Sequence, residues 1–503
     1  MADKPPQDPP QAGKGDGVEK SDVKGKSASK SRPTIELSEN AARALMDSNP
    51  ALKNDMLDSG NDKAADFIRK MDIKELLAGL ALNPKNQKDM ASYKFWQTQP
   101  VIRFDDQGDI VDGPIKEVDI EKVPKTPGPL VDGFEWVTLN LDDEKEVEEL
   151  YELLSLHYVE DDSAMFRFNY SKEFLNWALK TPGWSKEFHV GVRATKSRKL
   201  VASICGIPLH LSVREKRIQS IGIDFLCVHK KLRSKRLAPV LIKEITRRCN
   251  VRGIFQAVYT VGMILPTPIS TCRYYHRALD WLKLYEVGFS ALPTTSTKAR
   301  QIARNRLPTT ASTPGWRPMQ SKDVAPVRDL LNRYLKRFEL TQIFDEKEVE
   351  HTFLFREQAP ADIVVYSFVV EEQGSHQITD FVSFYTLESS VIQNEKHTSL
   401  KGAYLYYYAT ETAFAENEEG LKERLQLIMN DALIEAKQEN LDVFNALTLH
   451  DNPLFLEQLK FGAGDGMLHY YLFNYRTAPI AGGVDDRNLP DESKRHGVGI
   501  VLV

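Results

Sequence analysis

Apolar residues alternate with polar ones, or recur every three to four positions, in discrete blocks from Phe134 to Tyr475. The pattern predicts a strand over Phe134–Leu141, then a helix over Asp143–Val159 whose Asp143 and Glu146 stand at capping-box spacing. Strands are expected at Phe188–Ala194 and Leu200–Leu211. The unbroken apolar run Ile221–Val228 reads as a buried strand. Leu237, Val240, Leu241 and Ile245 define one face of a helix over Leu237–Asn250, with Ser234 near its start. Phe255–Val261 reads as a strand, and the segment around Tyr274–Leu284 as helical. A second pass then brings helices at Val324–Phe338 and Glu346–Phe355 and strands at Ile363–Val370, Ile378–Thr386 and Ala403–Thr410. A long helix (Leu421–Asn440), a strand (Val443–Leu449), a short helix (Pro453–Leu459) and a strand (Leu468–Tyr475) close it. One element order met twice, in blocks of about 180 residues, predicts duplication of an α/β (α+β) unit with mixed sheets flanked by helices.

Upstream the periodicity vanishes. Residues 1 to 60 are rich in Lys, Asp, Pro, Gly and Ser. Such a segment buries too little apolar area to offset its ordering entropy and is expected to be disordered. Lys24, Lys26, Lys30 and Arg32 suit an anionic surface such as a ribosome, although a solubilising tail is the simpler reading. Ala64–Leu82 regains a helical period and is expected to lead into the core. The expected organisation is therefore an N-terminal region over 1–85, a first half over 86–295 and a second half over 296–503. Among the 503 residues, 42% are hydrophobic and 27% charged, as in ordinary soluble domains. A net charge of −5 argues against a general nucleic-acid binder and leaves room for a local basic patch. Cys205, Cys227, Cys249 and Cys272 form no Cys-x-x-Cys pair, which suits reduced thiols. With no apolar run of about 18 residues and no hydrophobic signal core, a cytoplasmic monomer without a membrane span is expected.

The chemistry concentrates after Val228. Lys230, Lys231, Arg233, Lys235 and Arg236 lie between a predicted strand and a helix start, where free N–H groups and cations together can cradle phosphate. A solvated basic turn is the alternative. The counterpart in the second half, Thr410–Gly420, carries Glu411, Glu416, Glu418 and Glu419 and would repel phosphate. No phosphate loop, metal-ligand spacing or Gly-x-Ser-x-Gly elbow is present. Glycine-rich Lys460–Gly466 follows a helix and precedes a strand, and a tight turn explains it. Residues 157–170 mix three acids with four aromatics, which suits a cationic, partly apolar peptide, or equally the packing of Phe166 and Phe168 into a core. Tyr93–Pro100 can stack on a nucleotide base or close a core. His229 and His276 are candidate acid/base groups, although lone histidines are more often packed. Gly497–Val503 is small and apolar, and its burial would bring in an α-carboxylate that needs an ion pair or a chemical task.

In this order the motifs Tyr93–Val101, Tyr158–Tyr170, Phe225–Arg236, Tyr259–Arg273 and Lys460–Gly466 resemble the glycylpeptide N-myristoyltransferase family over residues 90–503. The resemblance implies a tandem of acetyltransferase-like (GNAT-like) halves, with myristoyl-CoA as co-substrate and no prosthetic group or metal. It implies contacts to myristoyl-CoA from Tyr93, Lys94, Phe95, Trp96, Cys227 and Val228, with Arg233, Ser234, Lys235, Arg236 and Leu237 holding the phosphates. The N–H groups of Phe225 and Leu226 would form the oxyanion hole, and the α-carboxylate of Val503 would be the base. Thr260 would help to hold the amine. Tyr158, Asp161, Asp162, Phe166, Phe168, Tyr170, Tyr274, His276 and Asp465 would line the groove for a protein with an N-terminal glycine. Two positions depart from the family's Glu-Ile-Asn-Phe-Leu-Cys strand: Gly222 replaces the Glu and Asp224 the Asn. Asp224 would then hold the amine through an oxygen or share the base role. Ser163 stands where many members have Asp, a change that bears on peptide preference. The rival readings are an acyltransferase using acetyl-CoA and a module binding nucleic acid or ribosomes, and the chain's acidity weighs against the second.

Overall fold

From Phe134 the chain builds β1 (Phe134–Thr138), α1 (Glu144–His157), β2 (Phe166–Asn169), α2 (Lys172–Leu179), β3 (His189–Ala194), β4 (Leu200–Val213) and β5 (Lys216–Val228). It continues with α3 (Leu237–Val251), β6 (Gln256–Val261), β7 (Ser270–Ala278) and α4 (Trp281–Glu286). The second pass comprises α5 (Lys298–Arg304), β8 (Trp316–Pro318), α6 (Val324–Leu335), β9 (Leu340–Gln342), α7 (Glu346–Leu354), β10 (Val365–Glu371) and β11 (Ile378–Val391). It ends with β12 (Ser399–Thr410), α8 (Glu418–Gln438), β13 (Val443–Leu447), β14 (Gly462–Phe473) and β15 (Val498–Gly499). A computed structural model describes residues 90–104, 106, 110–159, 165–354, 363–392 and 394–503. The helix expected at Ala64–Leu82, the Lys-rich tail, Asp161 and Asp162 lie outside the described residues.

The main sheet runs β1-β3-β4-β5-β6-β14-β7-β13-β12-β11-β10-β8. Read from either end, the order repeats: β1, β3, β4, β5 and β6 match β8, β10, β11, β12 and β13. The two acetyltransferase-like units exchange their last strands. β7 of the first pass pairs antiparallel with β13, and β14 of the second pairs antiparallel with β6. One large apolar core underlies both passes, from Leu150 and Leu153 through Val327 and Leu330 to Leu425 and Ile428. A second core, under α3, gathers Val190, Ile204, Ile221, Leu241 and Ile245. Among the described residues no helix is long and apolar enough to cross a membrane.

Several expectations need correction. The Tyr274–Leu284 segment is not one helix: Ser270–Ala278 is strand β7, and only Trp281–Glu286 is helical. Pairing on both sides, to β13 and β14, holds this stretch extended. The expected Pro453–Leu459 helix shrinks to a 3₁₀ turn at Asn452–Leu454. Asp143 caps α1 by accepting the Lys145 N–H, but Glu146 accepts the Asn140 N–H at 2.5 Å, so no reciprocal box closes. Ser234 does not cap α3; the N-cap residue is Arg236, whose φ of 55° lies in the left-handed region and whose side chain makes no cap hydrogen bond. Glycine-rich Lys460–Gly466 is not all turn, since β14 begins at Gly462.

Candidate active site

The site grows from a defect in one strand pair. Ser203 faces Cys227 and Cys205 faces Asp224, so Ile204 opposes two residues, Phe225 and Leu226. This is a β-bulge, which takes its extra residue out of the ladder. Phe225 has φ of 50°, a costly conformation for a residue with a side chain. Its fully buried ring holds it there, 5.2 Å from Tyr170 and 5.8 Å from Tyr158, centroid to centroid. Ser203 Oγ donates to the Phe225 carbonyl at 3.1 Å. β5 and β6 pair only from Ser220↔Gln256 to Gly222↔Val258, so the strands part just before the bulge.

Two hollows meet the bulge. One is an apolar pocket lined by Leu226, Trp96, Ile221, Ile242, Ile245 and Tyr259, among others. Trp96 stacks on Tyr259 at 5.9 Å, and Tyr259 on Tyr471 at 5.0 Å, which closes one wall. The cavity's isoleucines were legible only as core positions, because a strand or helix period does not say whether a partner or a void lies opposite. The second hollow is a cleft of about 660 Å³ lined by Asp224, Glu348, Tyr406, Leu502 and Val503, among others. Burial pushes the Asp224 carboxyl up to about 7, opposed by the Phe225 N–H, which donates to its Oδ1 at 3.1 Å. Burial likewise raises Glu348.

At the end of β5 the basic segment Lys230–Lys235 winds into a 3₁₀ helix. No side chain caps α3, which leaves its first-turn N–H groups without a capping partner directly after the exposed Lys231, Lys235 and Arg236. Arg233 is tethered, donating from Nη2 to the His157 carbonyl at 2.5 Å. Burial, His229, Lys230 and Arg233 together hold His157 down at about 4. The counterpart in the second pass differs. The Asn417 side chain caps α8 by accepting the Gly420 N–H, and Glu418 and Glu419 fill its first turn.

An aromatic cluster packs against the core beside the bulge, and it includes Phe168. Tyr158, Phe168 and Tyr170 form a chain of rings that reaches Tyr404, itself stacked on Tyr385 at 5.1 Å. Tyr274 stacks on His276 at 6.4 Å, and His276 packs edge-on against Phe289, which also meets Phe166. His276 Nδ1 bonds Asn445 Oδ1 at 2.6 Å, and burial lowers its pKa. A Cβ on Gly464 would lie 2.8 Å from the Tyr274 carbonyl and press on the His276 ring, while Asp465 beside it is exposed. The structure therefore gathers Asp224–Leu226, Tyr158, Phe168, Tyr170, Trp96 and Val503 around the bulge. The Tyr93 hydroxyl donates to the Ile264 carbonyl at 3.2 Å, near Tyr471 of the cavity wall, and Lys94 is exposed. Thr260, on β6, pairs with Tyr470. Cys227 is buried, and burial pushes its thiol up to about 12.

The C-terminal segment reaches the cleft along a fixed route. Val498 and Gly499 pair parallel with Leu340 and Thr341, His450 N–H donates to the Val498 carbonyl, and Tyr470 Oη to that of Ile500. Upstream, fully buried Asp451 holds Arg337 at 2.7 Å and Arg495 at 3.2 Å. Among the described residues no ion pair engages the Val503 carboxylate, and no cluster of metal ligands occurs.

A bulged strand pair that parts beside the uncapped N-terminus of α3, in a chain whose α/β element order occurs twice, fits an acyltransferase built from two acetyltransferase-like units. Residues 114–272 match the family described as myristoyl-CoA:protein N-myristoyltransferase, N-terminal domain, and residues 286–501 match its C-terminal domain. A glycylpeptide N-tetradecanoyltransferase of Ajellomyces capsulatus is 67% identical over 94% of this chain and 89% of its own length. That of Saccharomyces cerevisiae is 50% identical over 83% of this chain and 94% of its own. The crystal structure of Saccharomyces cerevisiae N-myristoyltransferase with bound myristoyl-CoA superposes with a TM-score of 0.79 at 50% identity, covering 82% of this chain and 99% of that one. The chain belongs to the N-myristoyltransferase family.

Proposed function

We propose that the protein transfers myristate from myristoyl-CoA to the N-terminal glycine amine of other proteins. The observation that carries this is the bulge at Phe225–Leu226, which lies between an apolar cavity and a cleft lined by carboxyl groups. A thioester carbonyl at the bulge would send its acyl chain past Leu226 and Trp96 into the cavity. The CoA phosphates would meet Arg233, Ser234, Lys235, Arg236 and the N–H groups of α3 from Leu237. Tyr93, Lys94, Phe95, Cys227 and Val228 complete the proposed acyl-CoA contacts.

The Phe225 and Leu226 N–H groups would receive the oxyanion, each worth about 3 kcal/mol of barrier by analogy with oxyanion-hole mutagenesis. The incoming amine has an ordinary pKa of about 8 and arrives protonated. The Val503 carboxylate, last in the sequence and lining the cleft, would serve as base, with Thr260 holding the amine. Nitrogen then attacks the carbonyl carbon directly, the C–S bond breaks, and CoA leaves as the thiol without a covalent enzyme intermediate. The substrate's following residues would lie against Tyr158, Phe166, Phe168, Tyr170, Tyr274, His276 and Asp465, with Asp161 and Asp162 contributing from the neighbouring loop.

Labelled myristoyl-CoA and a Gly-Xaa-Xaa-Xaa-Ser peptide test the reading. The full chain should form the N-myristoyl peptide, and removal of Leu502 and Val503 should lower kcat at least a hundredfold in a folded protein. Transfer from acetyl-CoA but not from myristoyl-CoA would sink the fatty-acyl reading.

A further inference from the structure

Acyl transfer to an amine strips two protons from one nitrogen, which arrives as R–NH3+ and leaves as an amide N–H. One proton must go before the lone pair can attack. The second goes as the C–N bond forms and the C–S bond breaks. The cleft that Val503 lines is also lined by a residue with a carboxyl side chain beside the bulge, Asp224. Asp224 Oδ1 accepts the Phe225 N–H at 3.1 Å. That N–H is one of the two that the acyl-transfer reading assigns to the thioester oxygen. Carboxylate and thioester oxygen therefore compete for one donor.

We infer that Asp224 is a catalytic proton acceptor held on the Phe225 N–H until the thioester oxygen displaces it, so that acyl-CoA binding frees the carboxylate that takes the first proton from the incoming amine. This rests on the acyl-transfer reading and adds to it a residue, a trigger and an order of binding.

The surroundings of Asp224 support this role. Cys205 faces it from β4, Tyr158 from the end of α1 and Tyr170 from the start of α2. Tyr385 and Tyr406 approach from β11 and β12, and Glu348 and the Val503 carboxylate share its cleft. All of these are neutral or acidic, and among the described residues no cation contributes to the Asp224 shift, whose causes are burial and the Phe225 N–H. The Phe225 N–H is thus the group that holds its charged form. With burial already lifting the carboxyl to about 7, loss of that N–H moves it toward the amine's pKa of about 8, where proton transfer costs least. The Asp224 carboxylate takes a proton from R–NH3+, leaving a carboxylic acid and R–NH2. Nitrogen attacks the carbonyl, its second proton passes to the Val503 carboxylate, and the departing CoA thiolate picks that proton up. Asp224 returns its own proton to water when the hole empties.

The experiment compares the full chain with Asp224→Asn and Asp224→Glu. At pH 7, Asp224→Asn should lower kcat at least tenfold with an unchanged KM for myristoyl-CoA, and the rate should recover by pH 9, where the amine is already neutral. Asp224→Glu should restore part of the rate at pH 7. Independently of turnover, a non-transferable ketone analogue of myristoyl-CoA, with a methylene between carbonyl and sulfur, is titrated at pH 7.5 in buffers of different ionisation enthalpy. The unaltered chain should take up a fraction of a proton and Asp224→Asn none. Superimposable pH profiles, or equal proton uptake by both, overturn the inference. No transfer by the unaltered chain is instead a failure of the acyl-transfer reading, and the uptake measurement still judges Asp224.

Discussion

Phe225 shows what a single residue contributes here. Its left-handed backbone costs about 1–2 kcal/mol for a side chain other than glycine, and burial of the whole ring against Tyr158 and Tyr170 offsets that cost. Glycine would adopt the conformation without strain but would leave a cavity where the ring stands. Asp224 makes the opposite trade. Its folded pKa of about 7 lies above its ordinary value near 4, so its favourable contribution is complete below pH 4 and is lost as pH rises to 7. Asp224→Asn should therefore raise stability by about 4 kcal/mol at pH 8 and by almost nothing at pH 4. Urea midpoints at the two pH values check this, and a wild-type midpoint that matches the variant's at pH 8 would sink it.

Among the elements, α3 does most of the discriminating. Its uncapped N-terminus faces the basic 3₁₀ turn, and its Ile242 and Ile245 face the apolar cavity. On the proposed reading the same helix would serve both ends of a molecule that joins a polyphosphate to a fatty chain. Its counterpart α8 has a capped, acidic start, and the Glu418 there is already paired with Arg495 at 2.6 Å. A methylene buried in such a cavity is worth about 0.8 kcal/mol, or about fourfold in affinity. Ile242→Trp should fill part of the cavity, lower kcat/KM for the tetradecanoyl thioester at least tenfold, and spare the decanoyl one. Competition between the two thioesters measures this. Unchanged relative rates would move the acyl chain to another place.

At the scale of the whole molecule, the exchange of β7 and β14 ties the two passes into one sheet. The first pass without β14, or the second without β7, would expose unpaired edges at the centre of the sheet. Fragments 90–295 and 296–503 should each lack a cooperative urea transition, and their mixture should regain one with acyl-transfer activity; circular dichroism follows both. A sharp transition in either fragment alone would refute the dependence. Much of this was legible from residues. The periods at Ile221–Val228, Leu237–Asn250 and Leu421–Asn440 reflect which side of an element is buried, and burial acts on every such position. The contrast between Lys230–Arg236 and the acidic Thr410–Gly420 was also open to view, because charge is a local property. Strand β7 was hidden, since Cys272-Arg-Tyr-Tyr-His carries no period that excludes a helix and its two neighbours come from residues 443–473. So were the cavity, the bulge that gives Phe225 its backbone, and the meeting of Asp224 with Val503, 279 positions away in the chain. The sequence alone determined the duplicated α/β order, the basic turn and the family likeness, because these rest on local composition and spacing. The exchanged strands, the two hollows and the elevated Asp224 pKa were decided by tertiary structure, because each depends on what lies opposite a residue rather than beside it.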